Sequence, residues 1–220
     1  MSRQRKYDLI IFDWDGTLAD STGRIVDSMH IAGAACELPK LSDDQVRNII
    51  GLGLPEAIRM LWPDINETQM PTLHAAYAQH FVHDSLVPMG FFDGAETMLD
   101  QLVVSRKLAV ATGKSRKGLD RILDDLQAQR WFAATRCADE TLSKPNPLML
   151  QQLLDELGVS VESAIMIGDT SYDLDMAAAI GMDRIGMTHG AHHQDVLLAC
   201  QPLALCHTIN ELHHWIENNG

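Results

Sequence analysis

Leu9-Ile10-Ile11-Phe12 followed at once by Asp13-Trp14-Asp15-Gly16-Thr17-Leu18 constrains this chain more than any other segment. An uninterrupted apolar run of this length reads as a strand buried on both faces, as in the middle of a parallel sheet. Open α/β sheets bind ligands at the carboxyl ends of such strands, which makes Asp13 and Asp15 candidate active-site groups. Two acids one residue apart leave a strand on opposite faces unless the chain turns, and Gly16 supplies a turn. One Asp can then act as nucleophile and the other as acid and base. The competing structural reading of Asp15 is an Asx residue capping that turn.

Three later segments add to this, in a fixed order. Leu108-Ala109-Val110-Ala111 runs into Thr112-Gly113-Lys114-Ser115, a strand that ends in a small hydroxyl before a helix start. That hydroxyl and the adjacent N–H groups suit a phosphate oxygen. Ser143-Lys144-Pro145-Asn146-Pro147 carries one ammonium in a segment that its prolines keep from being helical, so Lys144 is held in place. Ala164-Ile165-Met166-Ile167 runs into Gly168-Asp169-Thr170-Ser171-Tyr172-Asp173, where Asp169 and Asp173 bracket a helix N-terminus and form a candidate metal pair. For Asp173 the helix dipole alone is a competing reason for an acid in the first turn.

In order, strand context and spacing, these segments resemble the four motifs of the haloacid dehalogenase (HAD) superfamily, subfamily I, in its phosphoglycolate phosphatase-like group. The resemblance covers nearly the whole chain. It implies an α/β fold, a Rossmann-like parallel sheet core of strand order 5-4-1-2-3 with an inserted helical cap. Residues 1–19 and 91–220 would form the core and residues 20–90 the cap. It further implies a Mg²⁺-dependent phosphatase that hydrolyses a small phosphorylated metabolite through an aspartyl-phosphate. Asp13 would be nucleophile and metal ligand, the backbone carbonyl of Asp15 and the Asp169 carboxylate would complete the protein ligands, and Asp173 would hold the metal's hydration shell. Thr112, the Gly113 N–H and Lys144 would bind the transferring phosphoryl oxygens, and Asp15 would protonate the leaving oxygen and then deprotonate water. Two other readings stay open. One is a β-phosphoglucomutase-like sugar phosphate mutase, whose members usually have Val where this chain has Thr17; the other is an inactive binding module on the same scaffold.

Between the first two motifs the pattern is helical. Residues 24–36 read as a helix ended by Leu38-Pro39, and Ser42-Asp43-Asp44-Gln45 makes a capping box that opens a helix toward Ile50. Gly51-Leu52-Gly53 stops it, and residues 54–62 and 67–82 supply further helices, the latter with Met70, Leu73, Tyr77 and Phe81 on one face. By the resemblance this is a cap whose closure excludes water and bulky substrates. Gly51, Leu52 and Gly53 are then either a plain helix stop or a substrate-reading turn, and Arg47, one helical turn earlier, is the nearest candidate cation for a substrate carboxylate. After the cap, helices at 94–103, 117–126, 148–157 and 171–180 alternate with strands at 108–112, 136–138, 164–167 and a last one at 184–187. Such alternation predicts a parallel sheet covered on both faces.

A formal net charge of -13 excludes nucleic acid as a partner, because phosphate backbones are bound by clustered Lys and Arg. No segment is long and apolar enough to span a bilayer, and the basic start Arg3-Gln4-Arg5-Lys6 leads into an apolar run too short for a signal peptide core. A soluble cytoplasmic protein is the expectation. Cys36, Cys137, Cys200 and Cys206 lack metal-ligand spacing and read as reduced thiols. Lys114, Arg116 and Lys117 are either a contact for a second anionic group or a solvated helix start. His189, His192 and His193 lack a defensible ligand spacing and read as a surface loop after the last strand. Asp20 and Ser21 fall at the entry to the cap, Asp175 on a solvated helix face, and Trp14 in packing, pointing away from Asp13.

Overall fold

The structure, a computed structural model, describes residues 6–220, so Arg3, Gln4 and Arg5 of the basic start lie outside the described residues. Strand β1 (Leu9–Phe12) is fully buried, as its unbroken apolar sequence demands. It is flanked by β4 (Lys107–Thr112) and β6 (Ala164–Gly168), each parallel to it. With β5 (Ala134–Cys137), β7 (Asp183–Met187) and β8 (Ala204–Cys206) the sheet runs β5-β4-β1-β6-β7-β8, all parallel. The expected five-strand order is therefore present, and β7 is not the last strand, because β8 adds an edge beyond it.

Strand alternation divides the core into two layers. Ile10, Phe12, Leu108, Val110, Ile165 and Ile167 face one cluster, which α5 (Ala95–Leu102), α6 (Arg116–Asp125) and the C-terminal helix Ile209–Asn219 cover. Leu9, Ile11, Ala109, Ala111, Ala164 and Met166 face the other, under α7 (Leu148–Leu157) and α8 (Ser171–Ala178). This is the period-two signature of a strand buried on both faces.

A third cluster lies between the first two motifs. It joins α1 (Thr22–Ala35), α2 (Asp43–Arg47), α3 (Leu54–Leu61) and α4 (Gln69–Gln79), with α4 passing into a short π-helical turn at His80–Asp84. The expected capping box is present: Gln45 N–H donates to Ser42 Oγ at 3.2 Å and Ser42 N–H to Gln45 Oε1 at 2.9 Å. The chain leaves the sheet through β2 (Ala19–Asp20) and returns through β3 (Gly90–Phe91), and the two pair antiparallel. Trp14 is fully buried against Phe91 of the returning strand, with ring centroids 5.5 Å apart, in agreement with a packing role. Among the described residues no helix is long and apolar enough to cross a membrane.

Candidate active site

Strands β1, β4 and β6 end level with one another, because Phe12 is in register with Val110 on one side and Ile167 on the other. The ladder extends one residue further: Asp13 N–H donates to the Ile167 carbonyl at 2.9 Å. Asp13, Thr112 and Asp169 thus emerge at one edge of the sheet. After Asp13 the chain turns tightly, with Gly16 N–H bonded to the Ala19 carbonyl at 2.8 Å. Gly16 has φ +84°, and a Cβ on it would stand 2.2 Å from Asp169 Oδ2, so both the backbone and the space require glycine. The turn separates the paired acids, which now meet different partners.

Asp13 faces inward. Its Oδ1 accepts a hydrogen bond from Lys144 Nζ at 2.6 Å, and the same ammonium donates to Asp173 Oδ1 at 2.6 Å. Lys144 comes from the Pro-bounded segment before α7, which is non-helical as its prolines predict, and is buried. Asp173 Oδ2 accepts from Thr170 N–H at 3.2 Å, the reciprocal half of a capping box on α8, and from Thr170 Oγ1 at 2.7 Å. Asp173 therefore both caps α8 and meets Lys144, one on each carboxylate oxygen. Asp169 Oδ1 accepts from Thr17 Oγ1 at 2.7 Å and Oδ2 from Ala191 N–H at 2.7 Å.

Three buried carboxylates converge here, and two of them, Asp13 and Asp173, bond one ammonium. Burial raises the Asp13 pKa well above the usual carboxylate range, against the pull of Lys144. Burial, then the neighbouring Asp173 charge, push Asp169 up to about 7. For Lys144, burial alone would lower the pKa, but Asp13 and Asp173 outweigh it and raise it. Oxygens of Asp13, Asp169 and Asp173 lie within 4.8 Å of one another, and Asp13 Oδ2 is buried with no hydrogen-bond partner among the described residues. No backbone N–H among them donates to the Asp15 carbonyl. An all-oxygen donor set with excess negative charge and an orphaned carboxylate oxygen fits a hard divalent cation such as Mg²⁺.

Asp15 turns the other way. Its Oδ1 accepts from Ser21 Oγ at 2.6 Å and pairs with Lys114 Nζ at 2.9 Å, whereas Oδ2 has no hydrogen-bond partner among the described residues. The Asp15 carboxylate is thus outside the metal cluster, and any ligation by this residue falls to its carbonyl. Ser21, expected only to mark cap entry, orients the Asp15 carboxylate. Lys114 answers the basic-patch question in a third way: it meets an acid of the site and lies 4.9 Å over the Phe81 ring. Arg116 instead pairs with Glu140 at 2.7 Å on the core surface.

The turn Gly51-Leu52-Gly53 sits directly on the loop that follows β4. A Cβ on Gly113 would stand 2.5 Å from the Leu52 carbonyl and 2.6 Å from that of Gly51, and Gly53 N–H donates to Ser143 Oγ at 2.8 Å. Gly51, Leu52, Gly53 and Gly113 line a cavity of about 500 Å³ with Asp13 and Asp15 at its floor. Arg47 is not among its lining residues. The α-helical spacing that would align it with Gly51 stops at Arg47, because residues 48–52 form turns. Thr112 is fully buried, and its Oγ1 accepts from Lys114 N–H at 3.2 Å, leaving the hydroxyl hydrogen for a ligand.

Of the histidine tract only His193 is exposed, at the start of the helix Gln194–Ala199. His192 is buried, its Nδ1 accepts from Ser171 N–H at 3.1 Å, and its Nε2 lies 3.3 Å from the Asn48 carbonyl at the end of α2. Tyr172 donates to the same carbonyl at 2.8 Å, so α8 and the loop after β7 together hold the helical cluster down. His189 is half-buried, stacks on Phe92 at 3.9 Å and reaches the Thr17 carbonyl. The sequence carries little signal for these contacts, since Asn48 and His192 stand 144 residues apart. Thr17 had a local clue in its place within the first motif.

The haloacid dehalogenase-like hydrolase family model matches residues 10–187. Among curated proteins, "Probable phosphatase IndB" of Dickeya dadantii is 30% identical over 93% of this chain and 91% of its own length. Phosphoglycolate phosphatase of Agrobacterium fabrum is 29% identical, covering 83% of this chain and 81% of that one. Among solved structures, a hydrolase from Pseudomonas syringae superposes with a TM-score of 0.85 at 22% identity, over 95% of this chain and 97% of that one, which shows the shared fold. The matched span contains all four motifs and every carboxylate of the buried cluster: this chain belongs to the haloacid dehalogenase-like hydrolase family.

Proposed function

We propose that this hydrolase is a Mg²⁺-dependent phosphatase of the phosphoglycolate phosphatase-like group, which hydrolyses a small phosphorylated metabolite through an aspartyl-phosphate on Asp13. The observation that carries the reading is the buried cluster of Asp13, Asp169 and Asp173 around Lys144, with Asp13 Oδ2 unpartnered. Relatives named as phosphatases support the substrate class. Residues 20–90 act as the cap, and residues 1–19 and 91–220 as the core. The two buried thiols take no part: burial pushes Cys137 up to about 12 and Cys206 up to about 11, which leaves them protonated and unreactive. Four free cysteines suit the reducing cytoplasm.

Asp13, Asp169, Asp173 and the Asp15 carbonyl would hold the cation, which neutralises phosphoryl charge when bound. Lys144 places a fixed positive charge beside the nucleophile and lowers its repulsion from an anionic ester. Thr112 Oγ1 and the Gly113 N–H bind phosphoryl oxygens. One oxygen of Asp13 attacks phosphorus while the other would face the cation, the ester P–O bond breaks, and the leaving oxygen takes its proton from Asp15. Water then attacks the phosphorus, its proton passes to Asp15, and the Asp13–phosphorus bond breaks to release phosphate. Ser21 and Lys114 hold one oxygen of Asp15, a residue that lines the cavity, which leaves the other for the proton transfer.

The test is phosphate release from a panel of phosphorylated metabolites with purified protein and Mg²⁺. Turnover that stops in chelator and is not restored by Ca²⁺, whose looser coordination spoils in-line attack, supports the reading. Full activity in chelator would sink the metal assignment. Interconversion of sugar phosphates that depends on a bisphosphate, without net phosphate release, would make the protein a mutase.

A further inference from the structure

The cavity above the paired acids is larger and less polar than a short anionic leaving group needs. Its volume of about 500 Å³ lies within the roughly 300–1,000 Å³ that encloses a drug-sized ligand. On the helical side it is lined by Met29, Ile49, Ile50, Leu54, Phe81 and Val82. No Lys or Arg from that side is among its lining residues, and the ionisable Glu56 and His74 are both exposed, at its mouth.

The core supplies two cations, and both are engaged. Lys114 is held by Asp15 at 2.9 Å, and Arg121 pairs with Asp125 at 3.5 Å on a partly solvated helix face. A substrate carboxylate in the interior would therefore be desolvated without a free counter-charge, which is costly. One polar group on the helical side is free. Tyr77 lines the cavity with its ring stacked on Phe81 at 5.7 Å and 18°, and its hydroxyl has no hydrogen-bond partner among the described residues. Burial, reinforced by the Asp15 charge, raises its pKa, so this phenol stays a donor.

We infer that the leaving group is an uncharged, largely apolar or aromatic alcohol with one hydrogen-bond acceptor received by the Tyr77 hydroxyl, rather than a short carboxylate-bearing alcohol. The inference rests on the phosphatase reading for its reaction, and on the cavity alone for its ligand chemistry.

The experiment has a kinetic arm and a binding arm on the purified full chain with Mg²⁺. In the first, kcat/KM is compared for phosphoglycolate, benzyl phosphate and the three pyridylmethyl phosphates, whose ring nitrogen adds an acceptor. Benzyl phosphate should exceed phosphoglycolate by about tenfold or more, and one pyridylmethyl isomer should exceed benzyl phosphate. Tyr77→Phe, which keeps the stacked ring, should cut that pyridylmethyl-to-benzyl ratio several-fold through KM. Preference for phosphoglycolate, or a ratio untouched by Tyr77→Phe, overturns the inference while leaving the phosphatase reading intact. In the second arm, calorimetry compares 2-naphthalenemethanol with glycolate. Hydrolysis of no ester would defeat the phosphatase reading. Calorimetry then still decides the cavity's chemistry: binding of the naphthyl alcohol in preference supports it, and binding of glycolate in preference, or of neither, overturns it.

Discussion

At the scale of single residues, the two acids of the first motif are distinguished by their partners rather than by their chemistry. Among the described residues, Asp13 has one oxygen on Lys144 and one orphaned; Asp15 has one oxygen on Ser21 and Lys114 and one without a hydrogen-bond partner. Asp13→Asn keeps the shape but removes the nucleophile and one carboxylate of the cluster. Turnover should fall below about one per cent of wild type with an unchanged circular dichroism spectrum, and activity above that level would defeat the covalent assignment. Asp15→Asn separates the two chemical steps. With an aryl phosphate, whose leaving group departs unaided, Asp13 should still be phosphorylated while hydrolysis of the intermediate lacks its base. Rapid acid quench should show a burst near one product per enzyme, then a steady rate lowered by about 10²-fold or more. Steady turnover at the wild-type rate without a burst would reduce Asp15 to a turn former.

At the scale of elements, the junction between the helical cluster and the sheet decides who reaches the acids. The Gly51-Leu52-Gly53 turn rests its carbonyls against Gly113, and Tyr172 and His192 hold the end of α2. Leu52→Lys would put an ammonium into an apolar wall. It should raise the relative kcat/KM for esters with anionic leaving groups several-fold while changing hydrolysis of a small artificial ester less. Equal loss on every substrate would point to damaged folding or closure instead.

For the whole molecule, the buried carboxylates cost stability at neutral pH that a bound cation would return. Asp169 is raised to about 7 by burial and by Asp173, against an unfolded value near 3.8. Between these values the unfolded chain ionises first, so its contribution is fully present below about pH 4 and is lost as pH rises toward 7. The direction for Asp13 is the same. Metal-free protein should therefore lose melting temperature between pH 5 and pH 8, Mg²⁺ should raise it more at pH 8 than at pH 5, and Asp169→Asn should flatten the metal-free trend. Scanning calorimetry checks all three, and a metal-free melting temperature that rises over this range would contradict the buried-carboxylate account.

Most of the sheet and all four motifs were legible in the sequence, because a strand buried on both faces must be apolar throughout, and because Asp13, Thr112, Lys144 and Asp169 are each marked by local context. The capping box at Ser42 and the stop at Gly158 are equally local. What stayed hidden was non-local, too short to have a period, or beyond the strand expected to be the last, as with the helix Ile209–Asn219. Strand β8 is a three-residue edge whose only evidence is pairing with β7. Arg47 misses the cavity because the helix ends one turn before a simple periodicity would have it. His192, Ser21 and Lys114 acquire roles only when segments far apart in sequence meet. By itself the sequence determined the alternation of the main strands and helices as far as residue 187 and which residue types stand at the strand ends, since those follow from periodicity and backbone restriction. Only the tertiary structure decided which carboxylate oxygen is bonded and which is free, and what lines the space above them, because partners and burial are properties of packed surfaces and not of any local stretch of chain.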